Sequence, residues 1–196
     1  MQASKRQRMS TELLVLGAIL TALVVVLQMV GSFIHLGMFS ISLVLIPIVI
    51  GASVGGAKLG AWLGGVFGVV VLISGDAAAF LAINVPGTII TVMAKGIACG
   101  LVAGLVYKWL SGIDRYASVI ITAVVCPVVN TGVFLLGCSV FFMDTIKTWA
   151  LADYGENFVA YMFLGLAGLN FLVEMAINIL LSPAIVRLLD LRKKQG

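Results

Sequence analysis

Residues 158–189 have the sequence FVAYMFLGLAGLNFLVEMAINILLSPAIVRLL, and this long apolar stretch decides the fold. It carries three polar residues at intervals of four: Asn170, Glu174 and Asn178. Because a helix has about 3.6 residues per turn, these side chains form one stripe on an otherwise apolar cylinder. A carboxylate in hydrocarbon costs at least about 2.5–3.5 kcal/mol. The stripe must therefore face protein, water or a ligand.

The composition places the whole chain in a membrane. Of 196 residues, 62% are hydrophobic and 10% are charged, against about 45–50% and 25% in soluble domains. The mean hydropathy is +1.20. No linker or block of charge divides the chain, so we predict a single transmembrane domain over residues 1–196. The net charge of +4 does not indicate nucleic-acid binding, because the basic residues cluster at the ends of apolar segments.

The apolar segments predict an all-α integral membrane bundle of six helices. The first is expected to be a retained span and not a cleaved signal peptide, and Pro47 predicts a kink in the second. Residues 74–86 are expected to form a loop or re-entrant turn, and the charged residues between 144 and 156 a polar loop. The predicted helices are Thr11–Val30, Ile41–Ser53, Leu59–Ile73, Gly87–Trp109, Ser118–Phe142 and Phe158–Leu189.

The basic residues predict the orientation of the bundle. With six spans, ten of the twelve lie on the side that holds both termini. Cytoplasmic loops carry an excess of Lys and Arg, so both termini are predicted to be cytoplasmic. The ten are Lys5, Arg6, Arg8, Lys58, Lys108, Arg115, Arg187, Arg192, Lys193 and Lys194.

Charged and amide side chains from three helices are expected at one depth. Lys95 lies thirteen residues before Lys108, and Glu174 lies thirteen before Arg187, so each is about 20 Å from a cytoplasmic anchor. Asn130 reaches nearly the same level. Either Lys95 and Glu174 form a buried ion pair that locks two helices, or the cluster lines a pocket for a polar small molecule. The pocket is favoured, because three helices contribute polar groups.

Small residues recur at intervals of four in three helices. Gly60, Gly64 and Gly68 leave one face of the third helix almost bare, and Gly96, Gly100 and Gly104 do so in the fourth. Such ridges are suited to close helix contact. In the first helix Ala18 and Ala22 have the same spacing, which on its own fits internal packing and a partner surface equally well. The three cysteines, Cys99, Cys126 and Cys138, are interpreted as small buried hydrophobic residues.

These features together resemble the substrate-binding S component of an energy-coupling factor (ECF) vitamin transporter. The resemblance covers nearly all of the chain. It rests on six spans in under 200 residues, a basic start, the Ala18-Ile19-Leu20-Thr21-Ala22 motif, a glycine-rich helix after Pro86, and the positions of Asn130, Asn170 and Glu174.

The resemblance implies a vitamin-binding subunit in the plasma membrane of a prokaryote. Such subunits bind a vitamin or related micronutrient from outside and contact a transmembrane coupling subunit through the first helix, here at Ala18 and Ala22. Two cytoplasmic ATPase subunits drive uptake, and the S component topples to release its cargo. By analogy, the predicted ligand contacts are Lys95, Asn130, Asn170 and Glu174, to which we add Thr91, on the face of Lys95, and Asn84, in the preceding loop.

The sequence leaves the cargo open. A lysine with amides suits a ligand bearing carbonyls or a carboxylate, such as riboflavin, pantothenate or a deazapurine precursor. The tryptophans are too scattered for an aromatic-rich thiamine site. No enzyme is predicted, since no catalytic or metal-binding motif is present, and no cofactor is expected. The alternative function is a self-sufficient proton-coupled permease that uses Glu174 as its titrating group.

Overall fold

The computed structural model describes residues 11–33, 35–36, 39–40, 43–155 and 157–195. The basic start with Lys5, Arg6 and Arg8, and Glu156, lie outside the described residues. The elements are α1 (Thr11–Gly31), an antiparallel pair of two-residue strands β1 (His35–Leu36) and β2 (Phe39–Ser40), α2 (Leu45–Ser74), α3 (Ala78–Leu81), α4 (Val85–Leu110), α5 (Arg115–Phe141), α6 (Met143–Asp153), α7 (Phe158–Ala160), a π-helical stretch (Tyr161–Ala167) and α8 (Gly168–Gln195).

The predicted helical membrane architecture is confirmed. Five helices in the described part of the chain are long and apolar enough to cross a membrane. These segments are Thr11–Gly31, Leu45–Ser74, Val85–Leu110, Tyr116–Phe141 and Asn170–Arg187.

The second of these helices, α2, is broken at Gly56, where φ is 72° and ψ is −169°. In a continuous helix residues 51 and 63 would be about 18 Å apart. Here a Cβ atom on Gly51 would lie 2.2 Å from Cδ1 of Leu63. The arms 45–55 and 57–74 therefore fold back on each other. The break falls between the second and third predicted helices, and glycine suits it because a positive φ is strained for residues with a Cβ atom.

The second arm of α2 packs antiparallel to α4 along two facing glycine ridges. A Cβ atom on Gly64 would lie 1.9 Å from the carbonyl oxygen of Gly96, and one on Gly60 would lie 2.3 Å from that of Gly100. These distances are far inside van der Waals contact, so only glycine permits the approach. The close-packing role predicted for both ridges is confirmed, and the two ridges are each other's partners.

Side-chain caps set the starts of α4 and α5. The Asn84 side chain accepts a hydrogen bond from the backbone N–H of Gly87 at 3.0 Å, and Pro86 occupies the first turn of α4. Asp114 accepts from the N–H groups of Tyr116 at 3.0 Å and Ala117 at 3.4 Å. Both residue types are favoured at this position because they satisfy amides that the helix leaves unpaired.

Three sequence predictions are wrong in detail. Pro47 was expected to kink its helix, but it lies in the first turn of α2, and the break in that helix falls at Gly56. The stretch expected to be a polar loop contains α6, in which Ile146 and Ala150 are buried one turn apart. The charged residues of this segment indicated a loop, although its buried residues have the spacing of an amphipathic helix. The last helix is not continuous from Phe158, because the chain is π-helical up to Ala167 and Gly168 has φ 35° and ψ −137°.

The described part of the chain forms two apolar clusters. The larger cluster joins α1, α2, α4, α5 and α8, and it includes the completely buried Cys99 and Cys126. The smaller lies where α5 ends, with Phe80, Phe142 and Ile146 at its centre, and it includes the buried Cys138. All three cysteines are thus buried, as predicted.

Candidate functional site

A cavity of about 770 Å³, including space open to solvent, lies between the two apolar clusters. It is near the end of the bundle at which α1, α2 and α5 end and α4 and α8 begin. The lining residues are Gln28, Val71, Asp76, Ala77, Phe80, Thr88, Thr91, Val92, Lys95, Asn130, Thr131, Phe134, Phe142, Leu166, Ala167, Asn170, Phe171 and Glu174.

One wall of the cavity is aromatic. Phe80, from the one-turn helix α3, meets Phe134 and Phe142 edge to face, with ring centroids 5.7 Å and 4.9 Å apart. Behind it Trp149 of α6 packs on the same ring at 5.6 Å. Edge-to-face pairs hold their rings in defined orientations. The wall therefore offers a ligand an apolar surface of rings in fixed orientations.

Lys95 extends from α4 between two phenyl rings. Its Nζ lies 5.4 Å from the ring centroid of Phe67 and 5.2 Å from that of Phe134. An ammonium at this distance is attracted by the negative face of a ring. The amine of Lys95 thus lies between aromatic rings in the wall of the cavity.

Helices α5 and α8 contribute amide and carboxyl groups. Asn130 comes from α5, and Asn170 and Glu174 come from successive turns of α8; all three are buried. The stripe on α8 continues to Asn178, whose Nδ2 donates to the backbone oxygen of Glu174 at 2.8 Å. Asn178 does not line the cavity. The polar stripe therefore has one part in the cavity and one part packed against protein.

Three buried acceptor atoms in the cavity wall have no hydrogen-bond partner among the described residues. They are Oε1 of Gln28, Oγ1 of Thr91 and Oδ1 of Asn130. A buried polar atom left unsatisfied costs about 1–3 kcal/mol. Such atoms around an open space are available to a bound molecule.

The structure brings together five of the six predicted ligand contacts: Thr91, Lys95, Asn130, Asn170 and Glu174 all line the cavity. The common depth of Lys95, Asn130 and Glu174 was predicted by counting residues from the basic anchors. Asn84 does not line the cavity and instead caps α4. Its role as a ligand contact stays a prediction.

Ala18 and Ala22, the predicted coupling positions, are exposed on α1 and face away from the bundle. The same helix has further exposed apolar side chains, including Val15 and Ile19, each 54% exposed. This surface is open to lipid or to another protein.

The sequence interpretation missed the contributions of α1 and of the turn after α2. Gln28 and Asp76 line the cavity, and Nε2 of Gln28 donates a hydrogen bond to Oδ2 of Asp76. The signal was present, because a glutamine in an apolar span needs a partner. The phenylalanine wall was also missed, because only the tryptophans were considered as aromatic ligand contacts. Phe134 lies one helical turn after Asn130.

The sequence matches the model of a known protein family. The family described as ECF transporter, substrate-specific component, matches residues 12–186, which is most of the chain. No curated protein and no solved structure matches it. The chain therefore belongs to the family of ECF transporter substrate-specific components, and it is a substrate-binding subunit of a membrane transporter and not an enzyme.

Proposed function

We propose that this chain is the high-affinity binding subunit for uptake of a vitamin or related micronutrient. The observation that carries the proposal is the cavity, because amine, carboxyl, amide and hydroxyl groups from different helices all line it. A mostly apolar wall with a few directed polar groups is typical of a small-molecule site. The polar groups of the ligand are held by Lys95, Asn130, Asn170, Glu174 and Thr91. The phenyl rings pack against the apolar part of the ligand.

A purely structural Lys95–Glu174 pair is the competing interpretation of the cluster. Such a pair leaves the acceptors of Thr91 and Asn130 unexplained, because both line the cavity without a partner among the described residues. A ligand that donates hydrogen bonds to them removes that cost. Pairing and ligand binding are compatible, since a carboxylate can accept more than one hydrogen bond.

The bundle has six membrane segments with both termini in the cytoplasm. The reversal at Gly56 supports counting the two arms of α2 separately. Lys58, Lys108 and Arg187 lie at the end of the bundle opposite the cavity. Under the positive-inside rule that end is cytoplasmic, so the cavity opens to the outside.

Transport energy comes from partner subunits. Ala18 and Ala22 form the contact with a transmembrane coupling subunit, and their exposure leaves that face available. The sequence contains no phosphate-binding loop of its own, so two cytoplasmic ATPase subunits supply hydrolysis. The assembly lies in the plasma membrane of a prokaryote.

Native mass spectrometry of the chain purified from rich medium tests the proposal. We expect one small molecule bound per chain, and no uptake into vesicles that contain this chain alone. Robust uptake by the chain alone would contradict the proposal and favour the proton-coupled permease.

The variant Glu174→Gln separates these two functions. A binding subunit loses affinity for the compound identified in the wild-type chain, because Glu174 lines the cavity. A permease loses its pH-dependent flux. The control is Asn178→Leu, one turn further along α8 and outside the cavity, for which we expect wild-type binding.

A further inference from the structure

Gln28 is the polar residue that α1 contributes to the cavity. Its side chain is 1% exposed and it lies three residues before the end of the helix. The α1 surface near Ala18 and Ala22 faces outward, but Gln28 is on the opposite side, with Leu20 and Val24. An apolar residue could be buried at this position at a lower free-energy cost than the amide of Gln28.

Asp76 determines which way the Gln28 amide points. The Nε2 group donates to Oδ2 of Asp76, and the hydroxyl of Ser74 donates to the same oxygen at 3.3 Å. A carboxylate only accepts hydrogen bonds, so the reverse orientation would set two acceptors against each other. The NH₂ end therefore faces Asp76, and Oε1 is the end left over.

That remaining oxygen is buried and has no partner among the described residues, on a side chain that lines the cavity. Linking α1 to the turn after α2 needs only Nε2. The unpaired Oε1 is explained when a bound molecule donates to it, because a buried acceptor without a donor is unfavourable.

We propose that Gln28 is a specificity-determining residue: its Oε1, oriented by Asp76, accepts a hydrogen bond from an N–H or O–H group of the transported molecule. The proposal rests on the proposed function. The adjacent carboxylate of Asp76 repels an anionic group. The part of the cargo at this end of the cavity is therefore neutral or cationic, such as an amide, a ring N–H, an amino group or a hydroxyl.

The probe is the low-molecular-mass fraction of yeast extract, incubated with the chain purified from cells grown in minimal medium. Native mass spectrometry identifies the compound that the wild-type chain retains. Dissociation constants are then measured for that compound and for analogues methylated singly at each N–H or O–H group. The variants are Gln28→Leu and Gln28→Met, which have similar volume and lack the amide oxygen.

We expect both variants to bind the retained compound about tenfold or more weakly than the wild type, as for a lost buried hydrogen bond. One methylated analogue should lose at least as much affinity for the wild type and show no such loss in the variants. A residue that only holds α1 in place would not change this discrimination between analogues.

The matched control is Thr21→Val. Thr21 accepts a hydrogen bond from Trp62 Nε1 at 3.2 Å, so this variant also removes a polar link between α1 and α2, but outside the cavity. We expect it to bind the compound as the wild type does. Thermal unfolding of every variant in detergent shows which are folded, and the analogue series on the wild-type chain applies even if both Gln28 variants unfold.

Wild-type affinity in a folded Gln28 variant overturns the inference and leaves the proposed function intact. So does an analogue series in which no methyl group weakens wild-type binding. Retention of no compound by the wild-type chain overturns the proposed function, and the inference with it.

Discussion

Helix faces have two opposite roles in this membrane protein. At the α2–α4 interface they pack against each other, whereas on α5 and α8 they line the cavity. Between α2 and α4, facing glycines bring backbone atoms into direct contact. Across the cavity, α5 and α8 present Asn130, Asn170 and Glu174 to open space. Close packing stabilises helix association in lipid, where no hydrophobic force drives it. The first face supplies a rigid scaffold, and the second places polar groups in the cavity wall.

The largest expected effect comes from filling the glycine ridge. Gly64→Ala places a Cβ atom 1.9 Å from the Gly96 carbonyl oxygen, so the helices must separate. Overpacking of this kind destabilises by about 1–3 kcal/mol or more. We expect a lower unfolding temperature in detergent, measured by the fluorescence of the tryptophans.

The same substitution at Gly132 in α5 is the control, because a Cβ atom there would have no neighbour within 4 Å. Alanine is a better helix former than glycine by about 1 kcal/mol, so Gly132→Ala should be neutral or stabilising. Equal destabilisation by the two variants would contradict the scaffold role of the ridge.

A second prediction concerns the cavity wall. Asn130→Leu removes a buried acceptor that has no partner among the described residues. Affinity for the compound that the wild-type chain retains should fall about tenfold, and the ligand-free protein should keep its stability, because an unsatisfied group is replaced by an apolar one. Isothermal titration and thermal unfolding measure the two effects.

The matched variant for this prediction is Asn178→Leu. Asn178 is also buried, but it lies outside the cavity and donates to its own helix. Unchanged affinity is expected. A loss of stability in Asn130→Leu with no loss of affinity would contradict the prediction. Asn130 would then stabilise the fold, as the α2–α4 interface does, and would not bind the ligand.

The smallest effect is expected at Asn84, which was predicted to bind ligand and is found as the cap of α4. Asn84→Ala should cost about 0.5–2 kcal/mol of stability because an amide at the helix start loses its partner. Asn84→Ser keeps a capping oxygen and should lose much less. A strong loss of affinity in a stable Asn84→Ser variant would return Asn84 to the binding site.

Sequence reasoning was most successful where the helical repeat carries the information. Residues spaced by four share a face, so the polar stripe containing Asn170 and Glu174 and both glycine ridges could be identified directly. Counting at about 1.5 Å per residue placed Lys95 and Glu174 at one level. It was least successful in the connections, where the charges of α6 concealed buried Ile146 and Ala150.

The sequence by itself determined a helical membrane protein, its close-packing faces and most of the polar residues at the cavity. Each of these follows from composition or from a fixed repeat along one helix. Only the tertiary structure decided that the glycine ridges face each other, that Gly56 reverses the chain, and that Gln28 meets Asp76. The physical reason is that such contacts join residues distant in sequence, and no local spacing specifies which faces meet.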